Sequence, residues 1–282
     1  RGHRRPDGNF GHDSRLMKLL VALLLLVPQV SFGMSLAVTQ AVASRQVIYE
    51  EAIRALGPVA YWRLGEGSET TAASDTGVHN GTYTNTPTLG VDGLLTDNGD
   101  TAITTASASD ERVAVSDHAD LRFTSAVTIM GWCNTSSALM QDLYAGFEEV
   151  SFFDGFELRV NSTTSEPQFI ACDNVSACKA VTGTSDATDG NTHFLVGTFT
   201  DAGSGTCEIF FDGTSEGTAQ CDAPAGVAFP GGVCLGARCS AVLDFNGTLD
   251  EIAVWNMVLS DGQIQMLWYL GSGRQVSPGD SW

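Results

Sequence analysis

The chain has 282 residues, 43% of them hydrophobic, and carries 14 Lys+Arg against 33 Asp+Glu for a formal net charge of −19. So acidic a chain is a poor partner for nucleic acid, which is gripped by Lys and Arg displacing counterions, and it is disfavoured at anionic membrane surfaces. The apolar fraction is enough to build a core, and 31 Gly with many Thr, Ser and Val point to β structure with frequent turns.

Residues 1–33 are expected to lie outside the fold. Met17-Lys18 precedes an unbroken apolar run, Leu19 to Val27, followed by Pro28 and by small residues at Ser31 and Gly33. A short positive segment, a nine-residue apolar stretch and small residues describe a secretory signal peptide. The run is too short for the roughly 20 residues a membrane helix needs, so no membrane span is expected. Residues 1–16 read as upstream translation or an expression remnant. The alternative is a start at Met34, which would make everything before it artefact. From Met34 onward the chain holds 9 basic and 31 acidic residues, and Lys179 is its one lysine.

Residues 34–58 form a lead-in with one predicted helix over 47–56, where Ile48, Ala52, Ile53 and Leu56 share a face and Gly57-Pro58 stops it. The body, 59–271, consists of short apolar runs split by Gly, Asn, Asp and Thr. Strands are predicted at Val59–Leu64, Arg112–Val115, Val127–Cys133, Phe156–Val160 and Gln168–Ala171, then at His193–Thr200, Cys207–Phe211, Val233–Gly236 and Leu249–Trp255. Several alternate with period two, and with no helices between them they argue for an antiparallel sandwich. Ser260 to Gln263 reads as a capping box opening a helix over Ile264–Leu270, with Gly271 as its C′ residue. Residues 272–282 are a tail.

Six of the seven cysteines fall in neighbouring pairs, Cys172/Cys178, Cys207/Cys221 and Cys234/Cys239, each bracketing a turn-like stretch. Paired strand ends come within disulfide reach, and such local staples suit an oxidising, extracellular setting. The alternative is seven unpaired thiols. Cys133, in the run TIMGWC, is expected to be free and buried.

Five segments in order resemble the laminin-G-like domains of the concanavalin A-like lectin/glucanase superfamily in bacterial and phage proteins. They are Tyr49-Glu50-Glu51-Ala52 through Tyr61-Trp62-Arg63-Leu64-Gly65-Glu66; Asp75-Thr76-Gly77 with Asn80-Gly81-Thr82; Phe123-Thr124 through Trp132; Phe210-Phe211-Asp212-Gly213; and Asn246-Gly247-Thr248-Leu249-Asp250-Glu251 through Asn256, then Leu259-Ser260 and Ile264. The resemblance covers roughly residues 49–271. It implies an all-β, two-sheet jelly-roll sandwich with short N- and C-terminal helices. It also implies calcium held by carboxylate and backbone oxygens, with Asp75 and Asp250 as the metal positions; the alternative is that Asp75 caps a turn and Asp250 accepts backbone hydrogen bonds.

The superfamily also contains glycoside hydrolases, whose paired carboxylates alternate along one strand. No such string occurs here. The nearest clusters, Glu148-Glu149 and Asp154/Glu157, read as solvated loop acids. Gly213-Thr214-Ser215-Glu216-Gly217 matches a nucleophile elbow literally but sits at a hairpin, not a strand-to-helix turn. His79 and His118 lie in polar loops, His193 begins a strand, and none has zinc-protease spacing. Trp62, Trp132, Trp255 and Trp268 read mostly as core, while Tyr144, Phe152 and Phe153 are the candidate exposed aromatics for stacking on sugar. The sequence therefore points to a secreted, non-catalytic recognition or adhesion module for a glycan or protein ligand. The alternative is a structural virion component of a phage, and a glycoside hydrolase comes third.

Overall fold

The computed structural model describes residues 49–96, 99–148, 153–175, 178–202, 205–240 and 242–274. The chain divides into two compact units, Arg1–Val38 and Thr39–Trp282. The first unit lies wholly outside the described residues, and with it the signal-peptide reading and both expected starts, Met17 and Met34.

Within the second unit, helix α1 (49–55) leads into β1 (Ala60–Trp62), β2 (Thr71–Ala72), β3 (Gly81–Thr84), β4 (Thr88–Asp92), β5 (Thr101–Thr105) and β6 (Arg112–Val115). The long central strands follow: β7 (Ala126–Asn134), β8 (Gln141–Glu148), β9 (Asp154–Val160), β10 (Pro167–Asp173) and β11 (Lys179–Thr182). Then come β12 (Thr192–Thr200), β13 (Thr206–Phe211), β14 (Thr214–Gln220), β15 (Val233–Leu235), β16 (Gly247–Trp255) and helix α2 (Asp261–Ser272). One sheet runs β14-β13-β12-β7-β16-β5-β4, with β1 added on β16; the other runs β11-β10-β9-β8-β15-β6-β3-β2. All pairings are antiparallel. This is the expected two-sheet sandwich.

The side chains of β7 explain why its run is apolar throughout. Val127, Ile129 and Cys133 enter the core between the sheets, while Met130 and Trp132 join a second cluster with Tyr49 and Ile53 of α1 and Ile264 and Leu267 of α2. The first sheet is thus buried on both faces, and the alternation expected of a one-faced strand is replaced by continuous burial. Trp62, Trp132 and Trp255 are core, as expected, while Trp268 is half-buried against the second cluster.

The three disulfides Cys172–Cys178, Cys207–Cys221 and Cys234–Cys239 are formed, and Cys133 is free and buried. The capping box of α2 is present, with Ser260 and Gln263 satisfying each other's backbone amides. Its end differs from expectation. Gly271 is a helical residue pressed on Trp132, where a Cβ would sit 2.3 Å from the indole; Gly273, at φ 67°, is the left-handed cap. The helix therefore continues one residue into the segment 272–282 read as a tail, and residues 275–282 lie outside the described residues. No helix among the described residues is long and apolar enough to cross a membrane.

Candidate functional site

The closing strand β16 breaks register between Asp250 and Ala253, and Glu251 sits in the break at φ 52°. A non-glycine residue at positive φ is costly and persists only where its surroundings hold it. Asp250 is the last residue in register before the break, opposite Trp132, and Glu251 follows it inside the break. Asp250, fully buried, accepts from the Leu94 amide at 2.8 Å, while its other oxygen has no partner. Glu251, equally buried, accepts from the Tyr61 hydroxyl and stands 3.6 Å from Arg63 Nε. Burial pushes the Glu251 carboxyl up to about 7, opposed by the Tyr61 hydrogen bond and the Arg63 charge. Burial, and then the Glu251 charge, push Asp250 up as well.

Arg63 carries this cluster outward. Its guanidinium also pairs with Glu50 of α1 at 2.9 Å and with Asp100. Arg63 and Asp100 line a cleft of about 390 Å³ with Glu66, Glu69, Ala73 and Asp75. Glu66 accepts from the Ala73 amide at 2.7 Å and the Tyr83 hydroxyl at 2.5 Å. Asp75 receives Arg54 of α1 on both oxygens, at 2.5 and 2.8 Å, and that pairing holds its carboxyl below the usual range. A second cleft of about 350 Å³ is lined by Val59, Thr76, Val78, His79, Asp120 and Asn256.

The two positions implied for calcium occupy different surroundings. Asp75 is at the rim with both oxygens on a guanidinium; Asp250 is inside, on a backbone amide. Neither belongs to a group of three ligand-bearing side chains close enough to share an ion among the described residues. Calcium's six to eight oxygens are not gathered at either aspartate, and at Asp75 a cation would have to displace Arg54.

The other sheet buries its own acids. Along β9, Phe156, Leu158 and Val160 enter the core, so Glu157 and Arg159 face the opposite way. Glu157 receives Arg238 Nη2 at 2.8 Å and Arg159 at 3.3 Å, and Asp142 of β8 lies 3.5 Å from Arg238. Burial, then the Glu157 charge, push the Asp142 carboxyl up, while both arginines pull it down. Asp154 accepts from the Ala225 and Val227 amides at 2.6 and 2.9 Å. Asp154 and Glu157 are therefore buried structural groups, contrary to the expectation of solvated loop acids. The strand alternation that sends Glu157 away from the core was there to read; the loop that covers it was not. Glu149 lies outside the described residues.

Ser215 follows Asp212-Gly213, both at positive φ, in the hairpin between β13 and β14, and donates to Glu208. It is a strand residue, not an elbow nucleophile. Of the three candidate aromatics, Tyr144 is core and Phe152 lies outside the described residues; Phe153 is 46% exposed, with the Arg238 guanidinium 5.8 Å from its ring.

The family model for laminin-G-like domains of the concanavalin A-like lectin/glucanase superfamily matches residues 106–265. The chain belongs to this family. Solved structures agree on the laminin-G-like fold. The binding domain of Paraclostridial Mosquitocidal Protein 1 superposes with TM-score 0.56 at 12% identity, covering 74% of this chain and 51% of that one. The botulinum neurotoxin serotype C1 binding domain gives 0.54 at 11% identity, over 75% and 51%. Domain 4 of AbnA, an extracellular arabinanase of Geobacillus stearothermophilus solved with arabinotriose, gives 0.56 at 14% identity, over 74% and 97%. The chain thus spans about half the length of the two toxin domains. No curated protein matches its sequence.

Sequence reasoning missed several members of this laminin-G-like domain's charged clusters. Arg63 was quoted only as part of a motif, and Asp142 and Arg238 were not singled out. Arg238 sits five residues from Leu243, whose carbonyl accepts from the Asp142 amide. The signal available was the Cys234/Cys239 staple, which marks the intervening segment as held against the sheet.

Proposed function

We propose that the protein is a secreted, non-catalytic recognition module that binds a carbohydrate or protein ligand in the rim cleft lined by Arg63, Glu66, Glu69 and Asp100. One observation carries the reading. The carboxylates on the second sheet's outer side, Asp142 and Glu157, are buried and ion-paired with Arg159 and Arg238, whereas Arg63, Glu66, Glu69 and Asp100 line an open rim cleft. A glycosidase needs two carboxyls facing its substrate across a set gap; a binding site needs a concavity with a few convergent polar groups. Three disulfides support folding in an oxidising compartment. The proposed binding mode is independent of calcium, because Asp75 already serves Arg54 and Asp250 serves Leu94.

The test is a glycan array probed with the full chain, with arabino-oligosaccharides included because AbnA domain 4 was solved with arabinotriose. Saturable binding is expected, unchanged by a calcium chelator, with no reducing ends released from bound glycans or β-glucans. Release of reducing ends would overturn the non-catalytic reading, and loss of binding on chelation would restore calcium to the site.

A further inference from the structure

We propose that His79, His118 and Asp120 form a binding site for a divalent transition-metal ion of the zinc class, open to the cleft beside Thr76. The site is separate from the Arg63 cleft and does not rest on any ligand bound there.

Each of the three residues offers a ligand atom, and the three atoms lie within 4.8 Å of one another. His118 Nδ1 stands 3.3 Å from Asp120 Oδ2, and His79 Nε2 stands 3.8 Å from the same oxygen. Zinc bonds to nitrogen and oxygen at about 2.0–2.1 Å, which sets neighbouring ligands of a tetrahedron roughly 3.4 Å apart. One pair already has that separation, and the other gaps close by rotation of exposed side chains. His118 is 51% exposed and Asp120 61%, so both side chains can adjust once His118 Nδ1 gives up the bond it accepts from the Asp120 amide at 3.3 Å.

His79 is the fixed member. Its side chain is 3% exposed, and its backbone is in the left-handed region at φ 64°. Its carbonyl accepts from the indole of the core residue Trp62 at 2.8 Å, and the next residue, Asn80, accepts from the Ser74 amide at 2.9 Å. A strained, doubly tethered backbone therefore aims this imidazole at His118, ring centroids 4.8 Å apart. His118 caps the single 3-10 turn Ala119–Leu121 that contains Asp120, its Nδ1 accepting from the Asp120 amide at 3.3 Å, which holds the two residues together.

The donor set selects the ion. Two imidazole nitrogens with one carboxylate suit zinc, copper or nickel, whereas calcium takes oxygen alone. Three protein ligands leave a fourth position, and His79 and Asp120 themselves line the 350 Å³ cleft with Thr76 and Asn256. Water or a ligand atom entering that cleft completes the shell. The acidic body of the chain raises the local concentration of any cation.

The experiment titrates the full chain with zinc against a chromophoric zinc indicator, with excess calcium present. It is repeated on a His79→Asn/His118→Ser variant; asparagine tolerates positive φ and serine preserves the cap. His3, His12 and His193 are common to both proteins and cancel. The wild type is expected to take up one more equivalent than the variant, to gain melting temperature with zinc where the variant does not, and to give the visible bands of tetrahedral cobalt when cobalt replaces zinc. Equal uptake by the two proteins, no uptake by either, or displacement by calcium would each overturn the proposal. If the double variant does not fold, His118→Ser alone, at an exposed side chain, carries the same comparison.

Discussion

On the second sheet, Asp142 and Glu157 are matched by two arginines, Arg159 and Arg238, beneath a loop stapled by Cys234–Cys239. On the first, Asp250 and Glu251 lie beside one arginine, Arg63, which is shared with Glu50 and Asp100. In the balanced region both buried acids have a guanidinium within ion-pair distance, although the two Asp142 oxygens make no hydrogen bond. The acid-rich region has one arginine for its two buried acids, holds Glu251 at positive φ, and continues through Arg63 into an open cleft. Buried acids in a laminin-G-like sandwich are thus no guide to function by themselves; their charge balance and their route to solvent separate the two kinds.

The largest expected effect breaks the closed region. Arg238→Met strands Glu157 and Asp142 without their nearer cation, and unfolding by denaturant should show a loss of about 3–5 kcal/mol, as for other buried pairs deprived of one partner. A loss below 1 kcal/mol would mean the pair is not desolvated as described.

Glu251→Gln sharpens the contrast from the other side. The unfolded carboxyl gives up its proton near its ordinary value of 4.5, whereas the folded one keeps it to about 7. Its contribution to stability is therefore fully present below pH 4.5 and is lost as pH rises through 7. Glutamine still accepts from Tyr61 and carries no buried charge. The variant should match the wild type at pH 4 and exceed it at pH 8 by roughly 3 kcal/mol. A variant that is destabilised at pH 8 would show that the Arg63 pairing outweighs the burial.

Removing the staple with Cys234→Ala/Cys239→Ala should cost about 2 kcal/mol, the entropy of so short a loop. It should also speed hydrogen exchange at the Arg238 and Asp142 amides, leaving those of Tyr61 and Arg63 unchanged. Uniform exchange changes would dissolve the distinction between the regions.

His193 gives the smallest effect. Burial lowers its pKa, but hydrogen bonds to Asp212 at 3.2 Å and Asp189 at 3.0 Å more than offset this and raise it. A raised histidine contributes stability that is fully present below its unfolded value and is lost as pH climbs through the folded one. His193→Gln should cost about 1 kcal/mol at pH 5 and less at pH 8, read from paired thermal melts. A cost independent of pH would reduce His193 to packing.

The residues also show what a linear reading can reach. Arg112–Val115 and the cores of β7, β12 and β16 were legible because apolar runs and turn residues mark them. β3, β4, β5 and β14, rich in Thr, Gly and polar residues, were not, since their pairing is decided by neighbours such as the Thr104–Thr248 contact across strands. Asp250 was visible as a motif position, but its orphaned oxygen and the bulge at Glu251 arise from β1 and β5 sharing one edge of β16. His79 and His118 meet only because β3 pairs with β6 and brings their flanking loops together.

The central claim is that recognition belongs to the open rim and not to the closed sheet face. Its most direct test is a titration of the best array glycan against Glu69→Ala, at the rim, and Phe153→Ala, over Arg238. The rim variant is expected to bind about tenfold more weakly, a loss of ~1.4 kcal/mol, with Phe153→Ala indistinguishable from wild type. Loss of binding in Phe153→Ala with Glu69→Ala unaffected would contradict the account and move the binding surface to the face beneath Arg238.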